Sequence, residues 1–162
     1  MTDRNQSYKL VNQRLDHLIA PDEDVVSAMS TIVCELHHTC AGFDWTGFYR
    51  VIRPQLLSVG PYQGHHGCLR IPFDKGVCGA AARTASTIVV PDVNAFPGHI
   101  ACSSTTKSEI VVPVFDAKGM VVAVLDVDSN DAAAFTETDR TELEKIVARL
   151  SSLFDAPARD IG

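Results

Sequence analysis

The sequence predicts an α+β fold, a mainly antiparallel central sheet flanked by helices, and three patterns carry that reading. Apolar residues recur at helical spacing near the N-terminus and again near the C-terminal end. Between those regions, short apolar runs are separated by turn formers, and the turn Asp116-Ala117-Lys118-Gly119 joins two of the runs as a hairpin. Helices bracketing a set of short paired strands is the arrangement in which each element buries one face against another. At 162 residues and 46% hydrophobic content, the chain suits one compact domain over 1–162, with no need of disulfides or metal to make up for small size.

Each element follows from local pattern. A short helix is expected over 10–19, closed by Pro21 and Asp22. Val25, Val26, Met29, Ile32, Val33 and Leu36 then recur three and four residues apart, an amphipathic helix that lays one face on a sheet. These helices account for residues 1–40. Runs over 45–52 and 55–62 flank Arg53 and Pro54 and read as an antiparallel hairpin, and a short third strand over 68–71 ends at Pro72. Residues 76–83 read as a short helix entered through a glycine turn, and 87–92 as a strand. A loop of turn formers over 94–102 leads to strands over 109–115 and 120–128, completing a region of sheet and loops over 44–129. Thr136, with Asp139 three residues on, has capping-box spacing and opens a last helix over 136–154, whose stripe is Leu143, Ile146, Val147, Leu150 and Leu153.

Charge and composition remove several function classes. The net charge of −6 comes from scattered acids, and no basic stripe is present to neutralise phosphates, so no nucleic-acid partner is expected. The N-terminal segment is too polar for a signal peptide, and no apolar run is long enough to span a bilayer, so a cytoplasmic protein with no membrane partner is expected. Five cysteines is an odd number, and in a reducing compartment a disulfide is more often transient and catalytic than structural.

Three of those cysteines, Cys68, Cys78 and Cys102, fall within one 35-residue stretch beside small or turn-forming residues, which points to thiol chemistry. Zinc is disfavoured because the close pairs of structural zinc sites are missing, although His65, His66 and His99 would supply further ligands. Cys102 sits in a loop or at a helix start, where backbone amides lower a thiol pKa, with His99 nearby in sequence, and is the best nucleophile candidate. Cys34 and Cys40, in and just after an amphipathic helix, suit burial. Asp126 and Asp128 are two apart at a strand end and so share a face. If that face is enclosed, the pair needs a cation, a metal or hydrogen-bond donors; the alternative is a strand end emerging into water. Glu109 opens the facing strand and reads either as a third member of that mouth or as a solvated strand-end acid. Trp45 and Tyr49 share a face and suit either the wall of a pocket for a soft thioether-like group or plain core packing.

The runs Gly47-Phe48-Tyr49, Gly60-Pro61-Tyr62-Gln63-Gly64, Cys68-Leu69-Arg70-Ile71-Pro72-Phe73, Gly76-Val77-Cys78-Gly79, Pro97-Gly98-His99-Ile100-Ala101-Cys102, Ser108-Glu109-Ile110-Val111-Val112-Pro113 and Leu125-Asp126-Val127-Asp128-Ser129 occur in this order. Together they resemble the free methionine-(R)-sulfoxide reductases, a family of single-domain GAF-type enzymes. The resemblance implies a thiol-dependent reductase acting on the free amino-acid sulfoxide. Cys102 would attack the sulfoxide and become a sulfenic acid, Cys68 would resolve it as an intramolecular disulfide, and Cys78 would be an auxiliary or alternate resolving thiol. Glu109, Asp126 and Asp128 would hold the substrate ammonium and supply a proton, with Trp45 and Tyr49 around the methyl-sulfur end. It further implies no bound cofactor and no metal, thioredoxin with NADPH as external reductant, and the homodimeric assembly often found in the family. The alternative function is a non-catalytic GAF sensory module that binds a small ligand.

Overall fold

The computed structural model describes residues 3–99 and 104–154. Helix α1 (Arg4–Leu18) and helix α2 (Val25–Thr39) precede a hairpin of β1 (Trp45–Arg53) and β2 (Leu56–Gln63). Strand β3 (Arg70–Pro72), helix α3 (Gly76–Thr84), strand β4 (Ile88–Val90) and a single 3-10 turn (Val93–Ala95) follow. The second hairpin is β5 (Ser108–Phe115) and β6 (Val121–Ser129), and the chain continues into α4 (Glu137–Ala148) and α5 (Ser151–Phe154). The strands form one six-stranded sheet in the order β3-β2-β1-β6-β5-β4. Every neighbouring pair is antiparallel. The α+β architecture expected from the pattern is therefore present. No helix among the described residues is long and apolar enough to cross a membrane.

The sheet separates two cores. Phe48, Ile110, Val112, Val114, Ala123, Leu125 and Val127 face α1, α2, α4 and α5, where Val11, Leu15, Met29, Ile32, Leu36, Leu143 and Ile146 meet them. On the other face Trp45, Tyr49, Val111 and Val124 pack against Val77, Cys78, Ala81 and Ala82 of α3 and against Ile71 and Phe73. Burial on both faces explains why β5 and β6 are nearly continuous apolar runs instead of alternating ones. Each fully buried Leu, Ile or Phe contributes roughly 1.5–3 kcal/mol.

Local expectations differ from the fold at five places. Helix α1 begins six residues before the expected start, because the Asp3 side chain caps it by accepting from the Asn5 N–H and because Tyr8 docks on α4. Val26 belongs to the periodic set but is 42% exposed, since it lies at the edge of the α2 stripe. Cys34, expected to be buried, is exposed on the same helix. Cys68 precedes β3 instead of lying in it, since only Arg70, Ile71 and Pro72 pair with β2. The expected single C-terminal helix is interrupted at Arg149 and Leu150, whose N–H groups donate three residues back to Ile146 and Val147. There the Arg149 guanidinium turns aside to Asp16 at 2.6 Å and Asn12 at 3.0 Å on α1.

Candidate active site

The register of three strands assembles an acid cluster. Asp128 on β6 lies opposite Trp45 on β1 and Glu109 on β5, while Asp126 lies opposite Gly47 and Val111. Residues two apart on a strand share a face, so all three carboxyl groups stand on the side covered by α3. Glu109 is 5% and Asp126 6% exposed, which excludes a strand end opening into water. Like charges placed directly opposite one another on a sheet are destabilising, and burial adds to the penalty.

Enclosure raises the proton affinity of all three groups. Burial, with the Asp126 and Asp128 charges next in weight, pushes the Glu109 carboxyl well above the usual carboxylate range. Asp128 is raised by burial and then by Asp126 and Asp44. Asp126 is pushed up to about 7 by burial, against donation from the Cys78 thiol and the Glu109 carboxyl. Even so, Asp126 Oδ1 is buried without a hydrogen-bond partner. His99 Nδ1 lies 3.9 Å from Glu109 Oε2. Burial lowers the His99 pKa and raises that of Glu109, and both shifts favour a contact of neutral groups over an ion pair.

An aromatic stack faces these acids. The ring centroid of Trp45 is 5.8 Å from that of Tyr49 and 5.5 Å from that of Tyr62, at interplanar angles of 24° and 17°. A Cβ at Gly47 would come 2.5 Å from Trp45 Cη2 and 2.5 Å from Tyr62 Cβ, so only glycine leaves the indole room to lie there. The indole Nε1 donates to the carbonyl of His65 at 2.8 Å and pins the 65–67 segment over the ring. Trp45 and Tyr49 thus serve both uses left open by the sequence, being buried in the α3-side core and lining a cavity.

That cavity encloses about 250 Å³ and is bordered by Trp45, Tyr49, Cys78, Glu109, Asp126 and Asp128. It falls below the roughly 300–1,000 Å³ usual for drug-sized ligands, which suits a single small molecule. Cys78, at the start of α3, is 3% exposed. Burial and then the Asp126 and Glu109 charges push its thiol well up, outweighing its place in a first helical turn. Cys68 is disulfide-bonded, whereas Cys34, Cys40 and Cys78 are free thiols. While it is bridged, the Cys68 sulfur is not a thiolate ligand. Cys102, the expected nucleophile, lies outside the described residues; His99 and Thr105, before and after it in the chain, both line the cavity.

Residue-level reasoning did not anticipate Asp44, Thr106 and Asn130, which also border the cavity. Asp44 accepts from the Asn130 N–H at 2.8 Å and ties the start of β1 to the end of β6. Nothing in local spacing links residues 86 positions apart. Among the described residues, one group brings metal-ligating atoms together: Cys78, Glu109 and Asp126 each offer one, all within 4.8 Å of one another.

Comparison with known proteins extends over most of the chain. The GAF domain family matches residues 24–153. The chain is 43% identical over 124 residues to a free methionine-R-sulfoxide reductase of Saccharomyces cerevisiae, covering 75% of this chain and 69% of that protein. It is 32% identical over 151 residues to the free methionine-R-sulfoxide reductase of Escherichia coli, with 93% and 90% covered. The X-ray structure of free methionine-R-sulfoxide reductase from Neisseria meningitidis in complex with its substrate superposes with a TM-score of 0.86 at 39% identity, covering 96% of this chain and 92% of that one. With its GAF architecture and its extended similarity to these enzymes, the chain belongs to the GAF-type free methionine-R-sulfoxide reductases.

Proposed function

We propose that this protein reduces free L-methionine-(R)-sulfoxide to methionine, with Cys102 as nucleophile and Cys68 as its resolving thiol. The observation that carries the proposal is the small cavity in which two buried acids, Glu109 and Asp126, and the half-buried Asp128 face an aromatic stack, with a disulfide-bonded Cys68 packed at the edge of the same core. An orphaned buried carboxylate oxygen calls for a cation, and the ammonium of a free amino acid is one. The Trp45 and Tyr49 rings match the methyl-sulfur end, since sulfur packs favourably beside aromatic rings.

The reaction balances as three exchanges. The Cys102 thiolate takes the sulfoxide oxygen, a protonated carboxyl of the cluster supplies the proton, and methionine leaves with its sulfur two electrons richer while Cys102 becomes a sulfenic acid. The Cys68 thiol displaces water from that sulfenic acid to form the disulfide. A dithiol such as thioredoxin then reduces the bridge and is itself oxidised. The acid cluster divides two duties between its protonation states: ionised members hold the ammonium and a protonated member serves the departing oxygen. Cys78, whose thiol donates to Asp126, helps position that acid in the cavity wall.

In a coupled assay with thioredoxin, its reductase and NADPH, free methionine-(R)-sulfoxide is expected to drive NADPH oxidation, and Cys102→Ser to abolish it. Activity that survives the substitution would refute the cysteine assignment. Comparable turnover of the S epimer or of peptide-bound sulfoxide would refute the substrate assignment, because a site built for an ammonium rejects an amide nitrogen. Binding of the sulfoxide without turnover would indicate a sensory module.

A further inference from the structure

Cys78, Glu109 and Asp126, which have separate roles in the proposed reductase chemistry, also form a converging donor set. One thiol sulfur and two carboxylate oxygens converge within 4.8 Å, all on side chains that are buried. Independently of that convergence, Asp126 is 6% exposed, borders the cavity and carries a buried Oδ1 without a partner. His99, whose Nδ1 lies 3.9 Å from Glu109 Oε2, also lines the cavity, outside the group of three. From these contacts we infer that the pocket binds a borderline-soft divalent cation, Zn²⁺ or Co²⁺, through Cys78, Glu109 and Asp126, and that the bound ion excludes the substrate ammonium.

The chemistry selects the ion. Zinc takes sulfur at about 2.3 Å and carboxylate oxygen at about 2.0–2.2 Å in tetrahedral geometry, so its ligand atoms sit roughly 3.3–3.6 Å apart. The three ligand atoms, within 4.8 Å of one another, need to draw in by about 1.2–1.5 Å at most to reach that spacing. Magnesium and calcium demand six or more oxygens, which a sulfur and two carboxylates do not provide. A site of this kind differs from a zinc site built on all three neighbouring cysteines, because it uses the free thiol of Cys78 and does not need Cys68, which is bridged. The inhibitory half of the inference rests on the proposed reductase function, whereas the binding half does not.

The test uses the full chain with the Cys68 disulfide kept oxidised, so that Cys78 is the thiol available in the cavity. Titration with Co²⁺ alone is expected to give one equivalent with a thiolate-to-cobalt charge-transfer band, and Zn²⁺ is expected to displace it. Cys78→Ser should remove the band, and Asp126→Asn and Glu109→Gln should each weaken binding by about tenfold or more. Cys34→Ser, which alters an exposed thiol next to His38 on α2, should leave the titration unchanged. Circular dichroism of each variant separates loss of a ligand from loss of the fold. A band that persists in Cys78→Ser, or affinities unaltered by both carboxyl substitutions, would overturn the site. In the reductase assay Zn²⁺ should raise KM for the sulfoxide and leave kcat at saturating substrate; an effect on kcat alone would overturn the exclusion. Absence of turnover with metal binding intact would count against the reductase reading and not against the metal site.

Discussion

At position 47 the missing side chain decides the shape of the pocket. Trp45 lies flat between Tyr49 and Tyr62 only because nothing projects from Gly47 into its ring, and the same indole holds the 65–67 segment through its bond to the His65 carbonyl. Gly47→Ala is expected to destabilise the protein by about 1–3 kcal/mol through overpacking and to raise KM for the sulfoxide more than it lowers kcat. Chemical denaturation and steady-state kinetics on the same preparation check this, and unchanged values of both would dismiss the steric account. Gly47 was legible in the sequence as part of a family run, but its reason was not. The contact that forbids a side chain there involves Tyr62, which the hairpin brings alongside through β1-β2 pairing.

At the scale of elements, one carboxylate joins the first helix to the fourth. Asp139 accepts from the Thr136 N–H at 2.8 Å and hydroxyl at 2.9 Å at the start of α4, and from the Tyr8 hydroxyl of α1 at 2.8 Å, while Arg4 Nε approaches to 3.4 Å. The capping relation between Thr136 and Asp139 was readable from spacing alone. The early start of α1 was not, because residues 4–9 are mostly polar and their helical state rests on a partner 131 positions away. Tyr8→Phe is expected to reduce stability by about 1.5–3 kcal/mol, the range for a bond to a charged acceptor, without changing KM. Urea denaturation measures the loss; a variant as stable as the parent would show that α1 docks by apolar packing alone.

For the whole molecule, the site opposes stability. Asp126 has an ordinary pKa of 3.8 and is pushed up to about 7 in the folded state, so the native protein binds the proton more tightly than the unfolded chain. Its contribution is fully present below pH 3.8 and is lost as pH rises through about 7, and the upward shifts of Glu109 and Asp128 act in the same direction. Stability should therefore fall between about pH 4 and pH 8 where this cluster dominates. Asp126→Asn should raise stability by roughly 1–3 kcal/mol at pH 8, equivalent to about 2–4 °C in Tm per kcal/mol, and have little effect at pH 4. Thermal melts at the two pH values decide it, and a gain that is equal at both would remove the electrostatic explanation. Free methionine, by supplying the ammonium, should raise Tm more at pH 8 than at pH 5.

The sequence by itself determined the fold class, the two hairpins, the helix stripes and the candidates for thiol and acid chemistry, because periodicity, turn residues and motif order are local properties of the chain. Whether Asp126, Asp128 and Glu109 lie in water or in a closed site depended on which strands pair and in what register, and on α3 packing over that face. Burial sets the protonation of the acids and of Cys78, and burial is a property of the assembled sheet and helix, not of any residue's neighbours in sequence. Tertiary structure alone therefore turned a strand-end pair of acids, a distant glutamate and a helix cysteine into the lining of one cavity.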